Sequence, residues 1–319
     1  MSIVMEFHKV NTVLARFYKI KSVSTMGFAV AIIAAALSSL PDVISKPIID
    51  PTATGVVPTD PLFVVFIMYM MTGMVFTPIS KLQKPKTSVK KSSYLVLIIY
   101  GVASALSTLA FSYGLKETSA TNASILANSE IVFTVLIGMI MYKEYLAKKE
   151  ILPFVLIAAG AIFMPIASDV YEHKFEFTKF VFGDAMVLLS GFIYCICTFI
   201  AKHAGTVNTA KVVQVMSLSG AGLCFVLMMV TNAQFTINSS DLTLLSFIGV
   251  AGIGGSVLFF VLAVRLIGAV RTILVYSSST AFGIVYSGIY LLESVNPFTI
   301  SSIVIVAVGL YHLRFKLAA

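Results

Sequence analysis

The chain is short of charge, since only 11% of its 319 residues are Asp, Glu, Lys or Arg, whereas 58% are hydrophobic. Soluble domains carry about a quarter of charged residues. With a mean hydropathy of +0.98, this composition excludes a soluble protein. The formal net charge is nevertheless +8. Because the basic residues lie at the ends of apolar runs, we expect them to meet membrane lipid headgroups, and we expect no nucleic-acid partner.

Trp is absent, and the chain has only three Cys and four His. Without Trp, the aromatic wall of any binding site must come from Tyr and Phe. Cys195 and Cys197 are too close in sequence to face the same side of a helix, so they do not indicate a disulfide framework. The His residues lie near span ends or in loops, without metal-ligand spacing. We therefore expect neither a metal nor a cofactor.

Catalytic motifs are also missing. The sequence has no GxSxG elbow, no HExxH, no P-loop and no evident pair of intramembrane acids. The glycine-rich run 249–255 lacks the GxGxxG spacing of a dinucleotide site and predicts close helix packing instead. The loops are too short for a nucleotide-binding domain. The chain is thus predicted not to be an enzyme, and a solute or ion gradient must supply any energy that it uses.

The chain contains about ten apolar runs, each with a length near the roughly 20 residues that a bilayer core requires. Lys and Arg residues cluster in every second gap between these runs. Four residues depart from the pattern: Lys46, Lys116, Lys174 and Lys179. The intervening turns are acidic or neutral, and Asp42 is assigned to one of them. Cytoplasmic loops retain Lys and Arg, so both termini are predicted to be cytoplasmic.

The predicted fold is an all-α integral membrane protein with ten transmembrane helices. The spans are 24–44, 61–80, 93–114, 119–142, 150–168, 181–201, 210–231, 242–264, 268–292 and 298–315. Residues 1–23 carry apolar side chains at helical spacing. They are predicted to be a cytoplasmic amphipathic segment on the inner membrane surface, with a disordered basic tail as the alternative.

The polar stretch 169–180 is predicted to be an external linker between two sets of five spans. Because each set holds an odd number, residues 181–319 must enter the membrane from the side opposite to residues 24–168, so the halves are predicted to be inverted repeats. Sliding the chain on itself by 149 positions pairs Glu144 with Glu293, an informative match because acids are scarce. The same offset pairs Ser107 with Ser256.

Short motifs recur in both halves. They lie at 113–120, 130–133, 142–144 and 158–160, and then at 183–184, 264–269, 280–282, 292–293 and 308–309. These stretches resemble the EamA branch of the drug/metabolite transporter superfamily over nearly all of the chain, as two copies. The resemblance implies a ten-helix carrier that works by alternating access on small metabolites, commonly outward across the plasma membrane. The family often has Pro after an acid in its fourth and ninth helices. Here Ile131 follows Glu130, and Ser279 and Thr280 stand in the second copy, which puts a hinge there in doubt.

Glu130 is the clearest ionisable residue at mid-membrane depth. An acid there costs about 2.5 to 3.5 kcal/mol on insertion scales, while each apolar neighbour returns about 0.3 to 0.6 kcal/mol. Intramembrane acids usually face a cavity or a polar partner. Glu130 is therefore predicted to contact a cationic or zwitterionic solute or to bind a coupling proton. The alternative is an interhelical hydrogen bond without a transport role.

Further polar side chains mark a candidate cavity wall. On the fourth span, Thr134 shares the side of Glu130, and Asn128 lies on the roughly opposite side, so protein should surround this helix. The ninth span presents a stripe of hydroxyls and rings at helical spacing: Tyr276, Ser279, Gly283, Tyr286 and Tyr290. This stripe is the predicted wall. Ordinary helix packing with locally satisfied Tyr hydroxyls is the alternative.

Three functions remain open at this point. The leading one is a secondary transporter that exports small polar metabolites, amino acids or related amines first, across the plasma membrane. A lipid or lipid-linked-sugar flippase is the second, suggested by the Phe-rich walls. The third is a non-transporting membrane scaffold or sensor, in which Glu130 and the Tyr stripe would bond to each other with no cavity between them.

Overall fold

The computed structural model describes residues 25–51, 58–82, 91–118, 120–127, 129–142, 148–160, 181–203, 207–233, 237–292 and 297–318. All regular secondary structure in these ranges is helical. The predicted amphipathic segment 1–23, the predicted linker 169–180 and Asn128 lie outside the described residues.

The helices are numbered α1 to α10 in chain order. Their bounds are Thr25–Ile49 for α1, Pro61–Leu82 for α2, Lys91–Glu117 for α3, Ala120–Leu126 and Ser129–Tyr142 for α4a and α4b, Lys148–Ala158 for α5, Val181–His203 for α6, Thr209–Thr231 for α7, Ser239–Ile267 for α8, Ala269–Tyr276 and Ser279–Tyr286 for α9a and α9b, and Pro297–Ala318 for α10. Among the described residues, seven helices are long and apolar enough to cross a membrane, namely α1, α2, α3, α6, α7, α8 and α9 together with its final turn. Every predicted span overlaps one of the numbered helices.

One end of the bundle, called the basic end, carries Lys81, Lys202, Lys211, Arg265 and Arg271. Polar contacts join α2, α7 and α8 there. Lys211 Nζ donates to Gln214 Oε1 at 2.8 Å, and Gln214 Nε2 donates to Thr77 Oγ1 of α2 at 3.1 Å. Arg265, near the end of α8, donates to the backbone carbonyl that precedes α7 at 2.5 Å. These bonds hold the three helices together on this side.

The opposite end, called the acidic end, carries Asp50, Asp60 and Glu117. Lys46, one of the residues that depart from the charge pattern, pairs there with Asp50 at 2.7 Å. Its Nζ also donates to the carbonyl of Leu115 at 2.9 Å. Leu115 lies in the last turn of α3, where carbonyls lack intrahelical partners. A cation at this end is thus explained by a specific contact between α1 and α3.

Two helices are broken at equivalent places in the two halves. α4 is interrupted between Leu126 and Ser129, and α9 between Tyr276 and Ser279. The residues that follow the breaks closely, Glu130 and Ser279, are 149 positions apart, the offset that relates the two halves of the sequence. Both helices are thus interrupted at these points although neither has a proline there.

Serine side chains explain the break in α9. Ser277 Oγ donates to the carbonyl of Leu274 at 2.7 Å, and Ser278 Oγ donates to the carbonyl of Val275 at 2.9 Å. Such local bonds offer the helix carbonyls an alternative to the next backbone N–H. The backbone N–H of Ser278 accordingly donates to Val275 at 3.1 Å, with the tighter spacing of a 3₁₀ turn. The helix is interrupted without proline.

The glycine-rich run of α8 packs closely against α2, as the sequence predicts. A Cβ on Gly249 would lie 2.6 Å from the carbonyl oxygen of Met68, and one on Gly254 would lie 2.6 Å from the ring of Phe76. The run itself, Gly249–Gly255, is a π-helix. This widening was not predicted, and π-helical turns are frequent at functional sites.

Candidate functional site

A cavity of about 120 Å³ lies between the two halves of the bundle. α1, α2, α3 and α4 form one part of its wall, and α6, α8 and α9 form the other. Most of the lining residues come from near the middle of these helices, whereas Asp42 lies near the end of α1. For scale, an engineered cavity of about 150 Å³ holds benzene, so this cavity fits a solute of similar or smaller size.

The wall of the cavity is rich in oxygen atoms. Its hydroxyl groups belong to Ser38, Tyr69, Ser104, Ser107, Thr108, Ser190, Tyr194, Ser256, Tyr276, Ser277 and Ser279. Its two carboxyl groups are those of Asp42 and Glu130. Among the described residues that line the cavity there is no Lys, Arg or His. The only formal charge that this wall can carry is therefore negative, which favours a cationic ligand.

Glu130 lies in the first turn of α4b, directly after the break, and is only 7% exposed. Its Oε1 accepts a hydrogen bond from Thr198 Oγ1 of α6 at 3.1 Å. No donor among the described residues bonds Oε2. One carboxylate oxygen thus anchors the side chain to α6, and the other is left for a ligand in the cavity.

Asp42 lies in α1 and lines the cavity. The prediction from the charge pattern that it belongs to an external turn is therefore wrong. After a turn at Ser45, α1 resumes and extends to Ile49, so Asp42 lies in the last helical turn before this interruption. It is half-buried and has no hydrogen-bond partner among the described residues. The expectation that the membrane region holds no pair of acids is therefore wrong, because Asp42 and Glu130 share one cavity.

Two tyrosines form an aromatic face in the wall. The rings of Tyr194 and Tyr276 stack with their centroids 6.2 Å apart and their planes at 10°. Their hydroxyl oxygens are 3.4 Å apart. The ring of Phe260 packs edge-on against Tyr276 with centroids 5.0 Å apart. Tyr276, Asp42 and Glu130 all line the same cavity, so the wall combines an aromatic ring with both carboxyl groups.

Glycine allows α6 to approach the break in α4. A Cβ on Gly191 would lie 2.5 Å from Ser129 Oγ and 3.1 Å from the backbone nitrogen of Glu130. Both distances are shorter than ordinary van der Waals contact. The position of Glu130 therefore depends on the absence of a side chain at Gly191.

Of the predicted site residues, Glu130, Tyr276 and Ser279 line the cavity, and Asn128 lies outside the described residues. Thr134 is completely buried but does not line the cavity. It is one turn further along α4b than Glu130, and the cavity wall on α4 ends at Ile131.

The prediction that Tyr286 and Tyr290 belong to the cavity wall is corrected by the structure. Tyr286 packs against the ring of Phe282 with centroids 6.2 Å apart. Tyr290 is 48% exposed and lies in the π-helical turn Ser287–Leu291. The predicted stripe assumed one continuous α-helix, whereas the break after Tyr276 and this π-helical turn change the helical phase between the two ends of α9.

The sequence offset of 149 positions relates many of the lining residues that were not predicted from the sequence. Lining positions 149 residues apart are Pro41 and Ser190, Asp42 and Gly191, Ser104 and Ile253, Ser107 and Ser256, Thr108 and Val257, Ala127 and Tyr276, and Glu130 and Ser279. The match of Ser107 with Ser256 in the sequence was therefore a signal for the site. Ser107 also connects the halves directly, since its Oγ donates to the carbonyl of Ser190 at 2.9 Å.

The sequence profile of the EamA-like transporter family matches residues 25–165 and 181–315. The chain belongs to the EamA-like transporter family. Together with the apolar helices, this membership identifies a multi-pass membrane protein.

Two curated relatives are both described as uncharacterised transporters. The one from Methanothermobacter thermautotrophicus is 26% identical over 228 residues, which cover 71% of this chain and 65% of the relative. The one from Archaeoglobus fulgidus is 31% identical over 114 residues, or 35% of this chain and 37% of the relative. The matches thus span less than two thirds of either relative. A protein of known crystal structure matches over 91% of this chain and 97% of its own, with a TM-score of 0.67 and 14% identity, which shows similarity of fold alone.

Proposed function

We propose that this EamA-like protein is a secondary transporter of small polar metabolites that carry an ammonium group, amino acids or related amines, and that it works by alternating access. The observation that carries the proposal is the cavity between the two halves, with Glu130 in its wall and one carboxylate oxygen without a protein donor. An ammonium group binds a buried carboxylate through charge-assisted hydrogen bonds, which are stronger than neutral ones. The surrounding hydroxyls can bind the remaining polar groups of the solute.

The size and depth of the cavity favour this function over the alternatives. A volume of about 120 Å³ suits a small solute, whereas a lipid headgroup with its acyl chains needs much more space. A scaffold protein would have Glu130 bonded to the tyrosines without a cavity between them. Instead, Glu130 bonds Thr198, and both Tyr194 and Tyr276 line the cavity. Sites near the middle of the bilayer, at the interface of repeats, are typical of secondary transporters.

In this proposal the two halves rock against each other around the cavity. The breaks in α4 and α9 supply the flexible points, since each leaves a short gap in the helical hydrogen-bond ladder beside the cavity. At the basic end, Gln214 of α7 is joined to α2 by hydrogen bonds with Thr77 and Ser80. Opening towards that end requires these bonds to break. Export across the plasma membrane is the direction that the family resemblance suggests.

Glu130 is also the proposed site of proton coupling. A carboxyl group must lose its proton before it can bind an ammonium ion as a carboxylate, so proton and amine would compete for the same oxygen atoms. Such competition couples the movement of an amine in one direction to that of a proton in the other. It requires that flux depends on pH through Glu130.

Amine flux into proteoliposomes, measured across a range of pH, tests the proposal. Glu130→Gln retains the size of the side chain but can neither release a proton nor carry a charge, so we expect flux to fall at least tenfold and to lose its pH dependence. Asp241→Asn is the matched control, because Asp241 lies in the first turn of α8 at the acidic end and bonds Asn238 at 3.2 Å, away from the cavity. Unchanged flux in Glu130→Gln over the whole pH range would rule out coupling at this residue.

A further inference from the structure

The cavity has two carboxylates and, among the described residues, no cation in its wall. Asp42 is on α1 and Glu130 is on α4b, so the two carboxylates belong to different helices. Each lacks a protein donor on at least one oxygen in the part of the chain that the structure describes. Two ionised carboxylates in a membrane interior are unfavourable without positive charge beside them. A ligand with a single ammonium group neutralises only one of them.

The wall that holds the two acids also holds aromatic rings. Tyr276 and Tyr194 both line the cavity, and their rings stack on one another. A flat aromatic face packs well against methylene groups, and it attracts an ammonium group that passes over it. The wall therefore combines an acid, an aromatic surface and a second acid.

We propose that the cavity binds a short α,ω-diamine, with one ammonium group on Asp42, the other on Glu130 and the alkyl chain along Tyr276. This inference rests on the proposed function and names the substrate class of the same site. A diamine with a four-carbon chain has six non-hydrogen atoms, as benzene has, and so is of the size that a cavity of about 120 Å³ can enclose.

The repeat-related positions are consistent with a site for one dication. The partners of Asp42 and Glu130 at the offset of 149 residues are Gly191 and Ser279, which also line the cavity but carry no charge. The second half therefore contributes space and hydroxyl groups, whereas the first half contributes both charges. A single diamine neutralises the whole formal charge of the described wall.

The test compares ligands of equal chain length in binding and uptake assays with the full-length protein. The probes are 1,4-diaminobutane, with two ammonium groups, 1-aminobutane, with one, and 4-aminobutanoate, with one ammonium group and one carboxylate. We expect 1,4-diaminobutane to bind at least tenfold more tightly than 1-aminobutane and to be transported, and 4-aminobutanoate to bind weakest. 1,8-Diaminooctane should bind poorly because it is too long for the cavity.

Substitution of the second acid shows whether it causes this preference. Asp42→Asn should reduce the ratio of diamine to monoamine affinity at least tenfold, and Asp241→Asn should leave that ratio unchanged. Should Asp42→Asn fail to fold, Asp42→Glu retains the charge and should retain the preference, and the ligand comparison in the unsubstituted protein remains decisive.

The outcomes separate this inference from the proposed function. Equal affinity for 1-aminobutane and 1,4-diaminobutane, or an unchanged ratio in Asp42→Asn, would overturn the diamine assignment and leave an amine transporter standing. If neither amine nor any amino acid binds or is transported, the proposed function fails as well.

Discussion

The contact of α6 with the break in α4 gives a quantitative test of how the cavity is held in shape. In Gly191→Ala, the new Cβ would lie 2.5 Å from Ser129 Oγ and 3.1 Å from the nitrogen of Glu130. Ser129 Oγ can rotate away, but the backbone nitrogen cannot move without α4b. The helices must then separate by a few tenths of an ångström, and overpacking of this kind costs about 1 to 3 kcal/mol.

Two measurements follow from this displacement. The thermal unfolding temperature of the purified protein should fall by several degrees, and amine flux should fall because Glu130 moves with the start of α4b. Gly222→Ala on α7 is the matched control, since no atom lies within 4 Å of its Cβ. In a helix interior, Ala is favoured over Gly by about 1 kcal/mol, so the control should be neutral or slightly more stable.

A second substitution identifies the atoms responsible. Ser129→Ala removes the oxygen that is nearest to the new methyl group, so it should restore part of the stability lost in Gly191→Ala, with the remaining loss due to the backbone of Glu130. If Gly191→Ala matches Gly222→Ala in both unfolding temperature and flux, the close approach of α6 does not determine the position of Glu130, and the reasoning is wrong.

Three further predictions concern the rest of the described structure. Tyr276→Phe should weaken amine uptake because a hydroxyl of the cavity wall is lost, whereas Tyr290→Phe, at an exposed position, should leave uptake unchanged; equal effects would contradict the cavity assignment. Gln214→Ala removes the hydrogen bonds of Gln214 with Thr77 and Ser80 of α2, each worth about 0.5 to 1.5 kcal/mol, and should lower the unfolding temperature accordingly. Gly268→Ala should destabilise by about 1 to 3 kcal/mol, measured in the same way, because Gly268 has φ = 85° and ψ = 166°, a backbone region that is essentially restricted to glycine.

The helices could be predicted from the sequence because the requirement for them is simple. A bilayer core demands long apolar segments whose backbone groups bond internally, and such segments are visible as runs between charges. The predicted starts at 61 and 181 coincide with the first residues of α2 and α6. Glu130 was identifiable for a related reason, since an isolated acid inside an apolar run is conspicuous.

The details of the site could not be predicted in the same way. Asp42 is near the end of its apolar run, where an acid is inexpensive, and the charge pattern assigned it to a turn, whereas in the structure it lies in α1 and lines the cavity. The break in α9 depends on bonds from Ser277 and Ser278 to nearby carbonyls, which serines in other helices also form without a break. Once the break was missed, helical periodicity assigned Tyr290 to the wrong surface.

Both halves contain an interrupted helix beside the cavity, but they differ in charge, and this difference has an energetic reason. If Gly191 and Ser279 were acids like their repeat partners, four carboxylates would surround about 120 Å³. Each added acid costs about 2.5 to 3.5 kcal/mol on insertion scales and repels the others. In the proposed inverted repeat, the equivalent breaks in α4 and α9 allow both halves to move alike, whereas the acids confined to the first half fix a single ligand charge. The equivalent breaks in the two halves would then permit the transport movement, and the two acids of the first half would select the solute.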